Sequence, residues 1–76
     1  MRYAIVIEKA EGNYSAYVPD LPGCISTGTT VDETIRHLRE AMTGHVQMLA
    51  ENNDPIPDPA TLVDYVDIPL PAMTMS

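Results

Sequence analysis

Cysteine, lysine and arginine are scarce in this chain, and each shortage removes a class of function. One cysteine among 76 residues excludes an intrachain disulfide and leaves no partner for the usual thiolate set around zinc. A reducing, intracellular setting is the expectation. Four lysines and arginines stand against eleven aspartates and glutamates, a formal charge of -7 with a calculated pI of about 4.3. Contact with a phosphate backbone needs clustered cations, so no direct nucleic-acid binding is expected, and a basic protein is the natural complement. Long apolar runs are missing as well. The stretch Ala4 to Ile7 meets Glu8 at once, too soon for a signal sequence, and no other stretch is long enough to span a bilayer. We expect a cytoplasmic protein with no membrane attachment.

A chain this short buries only about 60 to 65% of the surface it exposes when unfolded, so one core is marginal and self-association would help. The alternation of Tyr3, Ile5 and Ile7 with Ala4 and Val6 predicts a strand over Tyr3 to Lys9. Ala10-Glu11-Gly12-Asn13 suits a reversal, and Tyr14 to Val18 alternates again, so the two runs read as a hairpin. Pro19-Asp20-Leu21-Pro22-Gly23 follows. Its two prolines fix φ, Asp20 can accept from nearby backbone, and Gly23 tolerates positive φ, which predicts a stiff connection into a third strand over Cys24 to Thr29.

Thr30 with Glu33 three residues later forms a capping box, and Asp32 and Glu33 suit the positive end of a helix dipole. A helix is expected from Val31 to about Asn52-Asn53, with Val31, Ile35, Leu38, Met42, Val46 and Leu49 as its sheet-facing stripe. Thr34, Ala41 and Met48 widen that stripe beyond what one small sheet requires, and we read the excess as a signal for a homo-oligomer. Pro55, Pro57 and Pro59 predict an extended strap. One helical turn is expected at Ala60 to Asp64, then a last edge strand carrying Val66, Ile68 and Leu70. The fold class is therefore α+β, in the order β-β-β-α-β, with a small antiparallel sheet under one long helix. Residues 1–71 form one domain and 72–76 a flexible tail.

No catalytic, cofactor or metal site is expected. His37 and His45 lack the four-residue spacing that would set two ligands on one helix face, and a solvated Glu33–His37 pair explains the first. Cys24 has no histidine or helix N-terminus placed by the sequence to activate it, so a small buried residue is the simpler reading. Two-metal phosphodiester cleavage needs converging carboxylates. Here Glu8, Asp32, Glu33, Glu40, Asp64 and Asp67 are scattered over several elements. Pro22, Gly23, Thr30 and Glu33 are structural candidates.

The run Tyr14-Ser15-Ala16-Tyr17-Val18-Pro19-Asp20-Leu21-Pro22-Gly23-Cys24, the Thr30-x-x-Glu33 helix start and the strap Pro55-Ile56-Pro57-Asp58-Pro59 together resemble the HicB-like antitoxin domain, over about Tyr3 to Pro59. The resemblance implies a partial ribonuclease H-like fold. It also implies an antitoxin that binds a small basic HicA-type mRNA endoribonuclease and covers its RNA-binding and catalytic face, without being an enzyme. By the same resemblance, Tyr14, Tyr17, Asp20 and Leu21 are the partner-contact candidates. Seventeen residues follow Pro59, which read as one strand and a tail, so neither a helix-turn-helix nor a ribbon-helix-helix module is expected. The alternatives are a stand-alone HicB-like oligomeric module with no toxin partner and a vestigial ribonuclease H-like nuclease.

Overall fold

The computed structural model describes residues 1–72. Among them, β1 (Val6–Ala10), β2 (Asn13–Tyr17) and β3 (Ile25–Gly28) form an antiparallel sheet in the order β1-β2-β3, and α1 (Val31–Glu51) follows. The hairpin register pairs Val6 with Tyr17 and Ala10 with Asn13, so Glu11 and Gly12 alone make the reversal, Gly12 at φ 79°. β1 starts three residues later than the alternation suggests. Extending the ladder would set Ile5 against Val18 and Ala4 against Pro19. The next amide of that strand to face β1 would be that of Pro19, which has none to give.

Two β-turns in series join β2 to β3. The Leu21 amide donates to the Val18 carbonyl (3.1 Å), and the Cys24 amide donates to the Leu21 carbonyl (3.1 Å). In the second turn Pro22 takes the first central position and Gly23, at φ 83°, the second, the arrangement of a type II turn. The outcome is a loop that drives Leu21 inward to zero exposure, beside Ala16, Val18, Cys24 and Leu38.

The helix ends are built as their residues dictate. Thr30 Oγ1 accepts from the Glu33 amide at 3.0 Å. The return arm of the box lands one residue earlier than expected: the Glu33 carboxylate accepts from the amide (2.7 Å) and hydroxyl (2.9 Å) of Thr29. At the far end Asn53 sits at φ 57°. Its amide donates to the Ala50 carbonyl (3.1 Å) and the Asp54 amide to the Leu49 carbonyl (2.8 Å), the Schellman closure with asparagine in place of glycine.

α1 lies over β2 and β3. Thr34 is fully buried at that contact, its hydroxyl donated to the Thr30 carbonyl at 2.7 Å. Directly opposite is Gly28, where a Cβ would fall 2.6 Å from Thr34 Oγ1 and 2.7 Å from its backbone nitrogen. The glycine is what lets helix and strand approach. Among the described residues no helix is long and apolar enough to cross a membrane.

Two expectations fail after the helix. No helical turn forms at Ala60 to Asp64, and Val66 to Leu70 do not join the sheet. The alternation there is real, but a strand needs a neighbour, and the strap delivers this segment away from the body; the described order is β-β-β-α. The tail expected at 72–76 lies, from residue 73 onward, outside the described residues.

Candidate partner interface

Strand alternation decides which residues face out. Ile5, Ile7, Ala16 and Val18 face the helix, with Tyr3, Ile5 and Ile7 packed against the core. Among the described residues no helix lies over the opposite face. Across it Val6, Tyr17 and Ile25 stand directly opposite one another on the three strands, and Glu8, Ser15 and Thr27 form the next row. Tyr17 is 40% and Ile25 68% exposed. An apolar row flanked by an exposed carboxylate is suited to a protein surface that combines apolar and cationic groups.

The four residues expected to meet a partner are not brought together. Tyr17 lies on the open face. Tyr14, three positions away, falls on the helix side of the sheet, opposite Lys9 and Gly28. Leu21 is wholly buried and has no surface to offer, because the paired turns make it the plug of the core. Asp20 is occupied inside the chain. Its Oδ2 accepts from the amides of Ala60 and Thr61, both at 3.0 Å, and its Oδ1 from the Thr61 hydroxyl at 2.9 Å. Those backbone bonds from Thr61 and Ala60 hold the carboxyl below the ordinary carboxylate range. Asp20 thus fastens the strap to the β2–β3 turn, and the Tyr3 hydroxyl, donated to the Pro57 carbonyl, makes a second fastening. Val6 and Ile25 were not among the expected contacts. The signal for them was the alternation itself, once the register was known.

Pro22, Gly23, Thr30 and Glu33 stand at the turn and cap described above. The Thr29 amide and hydroxyl hold the Glu33 carboxyl below its usual range, with smaller contributions from His37 and Arg36. His37 does not pair chiefly with Glu33: its Nδ1 lies 2.8 Å from the Thr27 carbonyl, which can only accept, so Nδ1 carries the proton and ties α1 to β3. Cys24 is 4% exposed, and burial pushes its thiol up, away from the reactive thiolate. Among the described residues no group of three or more His, Cys, Asp or Glu is placed to hold a metal ion.

A second feature lies on the helix side. Because α1 covers β2 and β3, an apolar groove of about 570 Å³ remains between residues 1–5 and the helix. Tyr3, Ile5, Ile35, Leu38, Met42 and Val46 line it, with Arg2 and Arg39 beside them.

Residues 3–70 match the family model described as the HicB-like antitoxin of bacterial toxin–antitoxin systems. The chain is 35% identical over 72 residues to antitoxin HicB 1 of Photorhabdus laumondii, covering 92% of this chain and 46% of that protein. It therefore spans about half the length of that antitoxin. Its fold is similar to the N-terminal domain of Burkholderia pseudomallei antitoxin HicB, with a TM-score of 0.69 and 37% identity, covering 76% of this chain and 69% of the other. It is also similar to a chain of the HicA3 and HicB3 toxin–antitoxin complex, with a TM-score of 0.66 and 30% identity, covering 78% and 69%. Sequence, sheet order and helix placement agree, and the chain belongs to the HicB-like antitoxin family.

Proposed function

We propose that this chain acts by binding rather than catalysis, as an antitoxin that neutralises a small basic HicA-type mRNA endoribonuclease by covering its RNA-binding and catalytic face. The observation that carries this reading is the likeness to a chain of a HicA–HicB complex, at 30% identity over 78% of this sequence. The charge supports it: eleven carboxylates on 76 residues suit a partner whose working surface holds RNA, and they accelerate encounter with such a surface. For the contact itself we propose the open sheet face, with Tyr17, Val6 and Ile25 at its centre and Glu8 at its flank. Tyr14, on the helix side of the central strand, is assigned only a supporting place.

The test is capture of the tagged chain from its host at moderate salt, followed by RNA-cleavage assays on the separated partner. A small basic protein that cleaves mRNA alone and is silenced on adding the chain back is the expected result. A chain recovered without such a partner, or a partner whose cleavage the chain leaves unchanged, would sink the antitoxin reading in favour of a stand-alone oligomeric module.

A further inference from the structure

The outer edge of β3 is half closed and half open. The Val18 amide donates to the Cys24 carbonyl at 3.2 Å, which sets the phase of the β2–β3 ladder. Cys24, Ser26 and Gly28 turn their backbone groups toward β2, whereas Ile25 and Thr27 turn theirs outward. At the helix end of the edge, side chains of α1 take the outward groups. The Thr27 carbonyl accepts from His37 Nδ1 (2.8 Å), and the Thr29 amide donates to the Glu33 carboxylate (2.7 Å). Among the described residues, the Ile25 amide and carbonyl and the Thr27 amide are left to water.

The helix flank beside this edge is open as well. His37 reaches Thr27 across it, and Ala41, Gly44 and Met48 follow at the spacings that keep them on the same flank. Glycine inside a helix costs about 1 kcal/mol relative to alanine, yet a Cβ on Gly44 would meet nothing within 4 Å. Nothing inside the fold requires that glycine. Met48 is half exposed, and Glu40, three residues after His37, is exposed and in no ion pair among the described residues. Arg39 lies on the other flank, at the groove. The β3 side is therefore negative and uncovered.

We propose that an extended segment of the ribonuclease partner adds to the β3 edge as a fourth strand, an inference that rests on the antitoxin reading above and gives its contact a register. An antiparallel segment exchanges both backbone bonds with Ile25 and accepts from the Thr27 amide. Its side chains then alternate between two surfaces. On the open face they stand beside Ile25 and lengthen the apolar row of Val6, Tyr17 and Ile25 by one position. On the helix side they lie along Glu40, Met48 and the bare backbone of Gly44. The fitting segment is apolar on one face and carries lysine or arginine on the other, the complement of Glu40 on an acidic chain. His37 and Glu33 hold the addition to the Ile25 end, and an edge this short offers little to longer, unspecific pairing.

The experiment follows amide hydrogen exchange of the full chain, alone and saturated with the co-purified ribonuclease. In the free chain the Ile25 and Thr27 amides are expected to exchange much faster than those of Ser26 and Gly28, and in the complex to slow by about tenfold or more. Thr27→Pro removes an outward amide at an edge position where proline is tolerated. It is expected to keep the fold and to weaken the complex about tenfold or more, and Glu40→Lys to weaken it chiefly at low salt. Exchange at Ile25 and Thr27 that the ribonuclease leaves unchanged, while the chain still silences cleavage, would overturn the strand addition and leave the antitoxin reading standing. A folded Thr27→Pro variant that binds as the native chain does would overturn it in the same way. A ribonuclease that the chain neither binds nor silences removes both readings. Amides of Ile25 and Thr27 already protected in the free chain would show the edge occupied without the ribonuclease, and would also overturn the proposal.

Discussion

The body of this molecule and its arm carry similar apolar residues and put them to opposite use. In the body, Leu21 and Leu38 reach zero exposure, and the surrounding turn, cap and glycine contact bring sheet and helix together around them. In the arm, Leu62, Val66, Ile68 and Leu70 alternate or cluster as strand residues do, yet they remain in water. The difference is in the neighbours. The buried apolar residues of the body meet their counterparts through a hairpin, a locked turn and a helix, whereas the arm follows a proline strap and joins no strand among the described residues. Apolar alternation thus identifies residues able to form a strand and says nothing about what pairs with them.

The hardest way to break this contrast is to remove the body's core. Leu38→Ala deletes a fully buried side chain from a domain with few others, and about 2–5 kcal/mol of stability should be lost. In so small a domain that unfolds much of the population, checked by thermal and urea denaturation. Truncation of Leu62 to Ala should change monomer stability far less, and equal losses at the two positions would erase the distinction. Gly28→Ala is next. The added methyl would meet the Thr34 hydroxyl and backbone at 2.6–2.7 Å, and overpacking of that kind costs about 1–3 kcal/mol. A neutral Gly28→Ala would show that α1 can lift from β3 without penalty.

Thr30→Ala removes the oxygen that holds the Glu33 amide and should cost about 1 kcal/mol, seen as a lower denaturation midpoint. This residue was legible in the sequence because the signal is local: a threonine, a glutamate three residues on, and an apolar stripe. The Pro22-Gly23 turn was legible for the same reason, since fixed φ and positive φ follow from residue type. Features that depend on contacts across the chain were not legible. Gly28 matters only because Thr34 arrives opposite it. The Asp20 carboxylate meets an amide 41 residues away, and nothing beside Asp20 announces Thr61. His37 was assigned to Glu33 one turn away, when the Thr27 carbonyl on β3 was the stronger partner. The last strand was read from correct alternation, but strand formation is a property of a pair. Tyr14 and Tyr17 stand three apart in a strand, and period two alone already places them on opposite faces.

The strap joins the two regions, and its fastening is titratable. The Asp20 carboxyl is held below its ordinary value by the amides of Thr61 and Ala60, so it binds a proton less readily in the folded chain than in the unfolded one. Its contribution is therefore complete at neutral pH and down to the ordinary aspartate range, about 4, and is lost as pH falls through the lower folded value. Acidification should release the Ala60 and Thr61 amides while those of the sheet stay protected, followed by amide chemical shifts and hydrogen exchange. Asp20→Ala should show the same released amides at pH 7. If strap and sheet amides exchange together in either case, the strap and the body open as one unit.

The smallest effect on the fold is expected on the open face, where it separates folding from recognition. Tyr17 and Ile25 stand opposite each other on β2 and β3 with much of both side chains in water, so the double change Tyr17→Ser/Ile25→Ser loses little burial. A cross-strand pair of this kind is worth roughly 0.2–1 kcal/mol, and the denaturation midpoint should move by no more than that permits. Affinity for the proposed ribonuclease partner should behave differently. An apolar row at the centre of an interface is desolvated on binding, and loss of its anchors commonly weakens a complex tenfold or more, whereas replacing Glu8 at the flank should chiefly slow association and reduce its salt dependence. A variant that keeps its fold but loses the proposed ribonuclease would assign the open face to recognition, and a variant that loses both would mean that Tyr17 and Ile25 serve the fold instead.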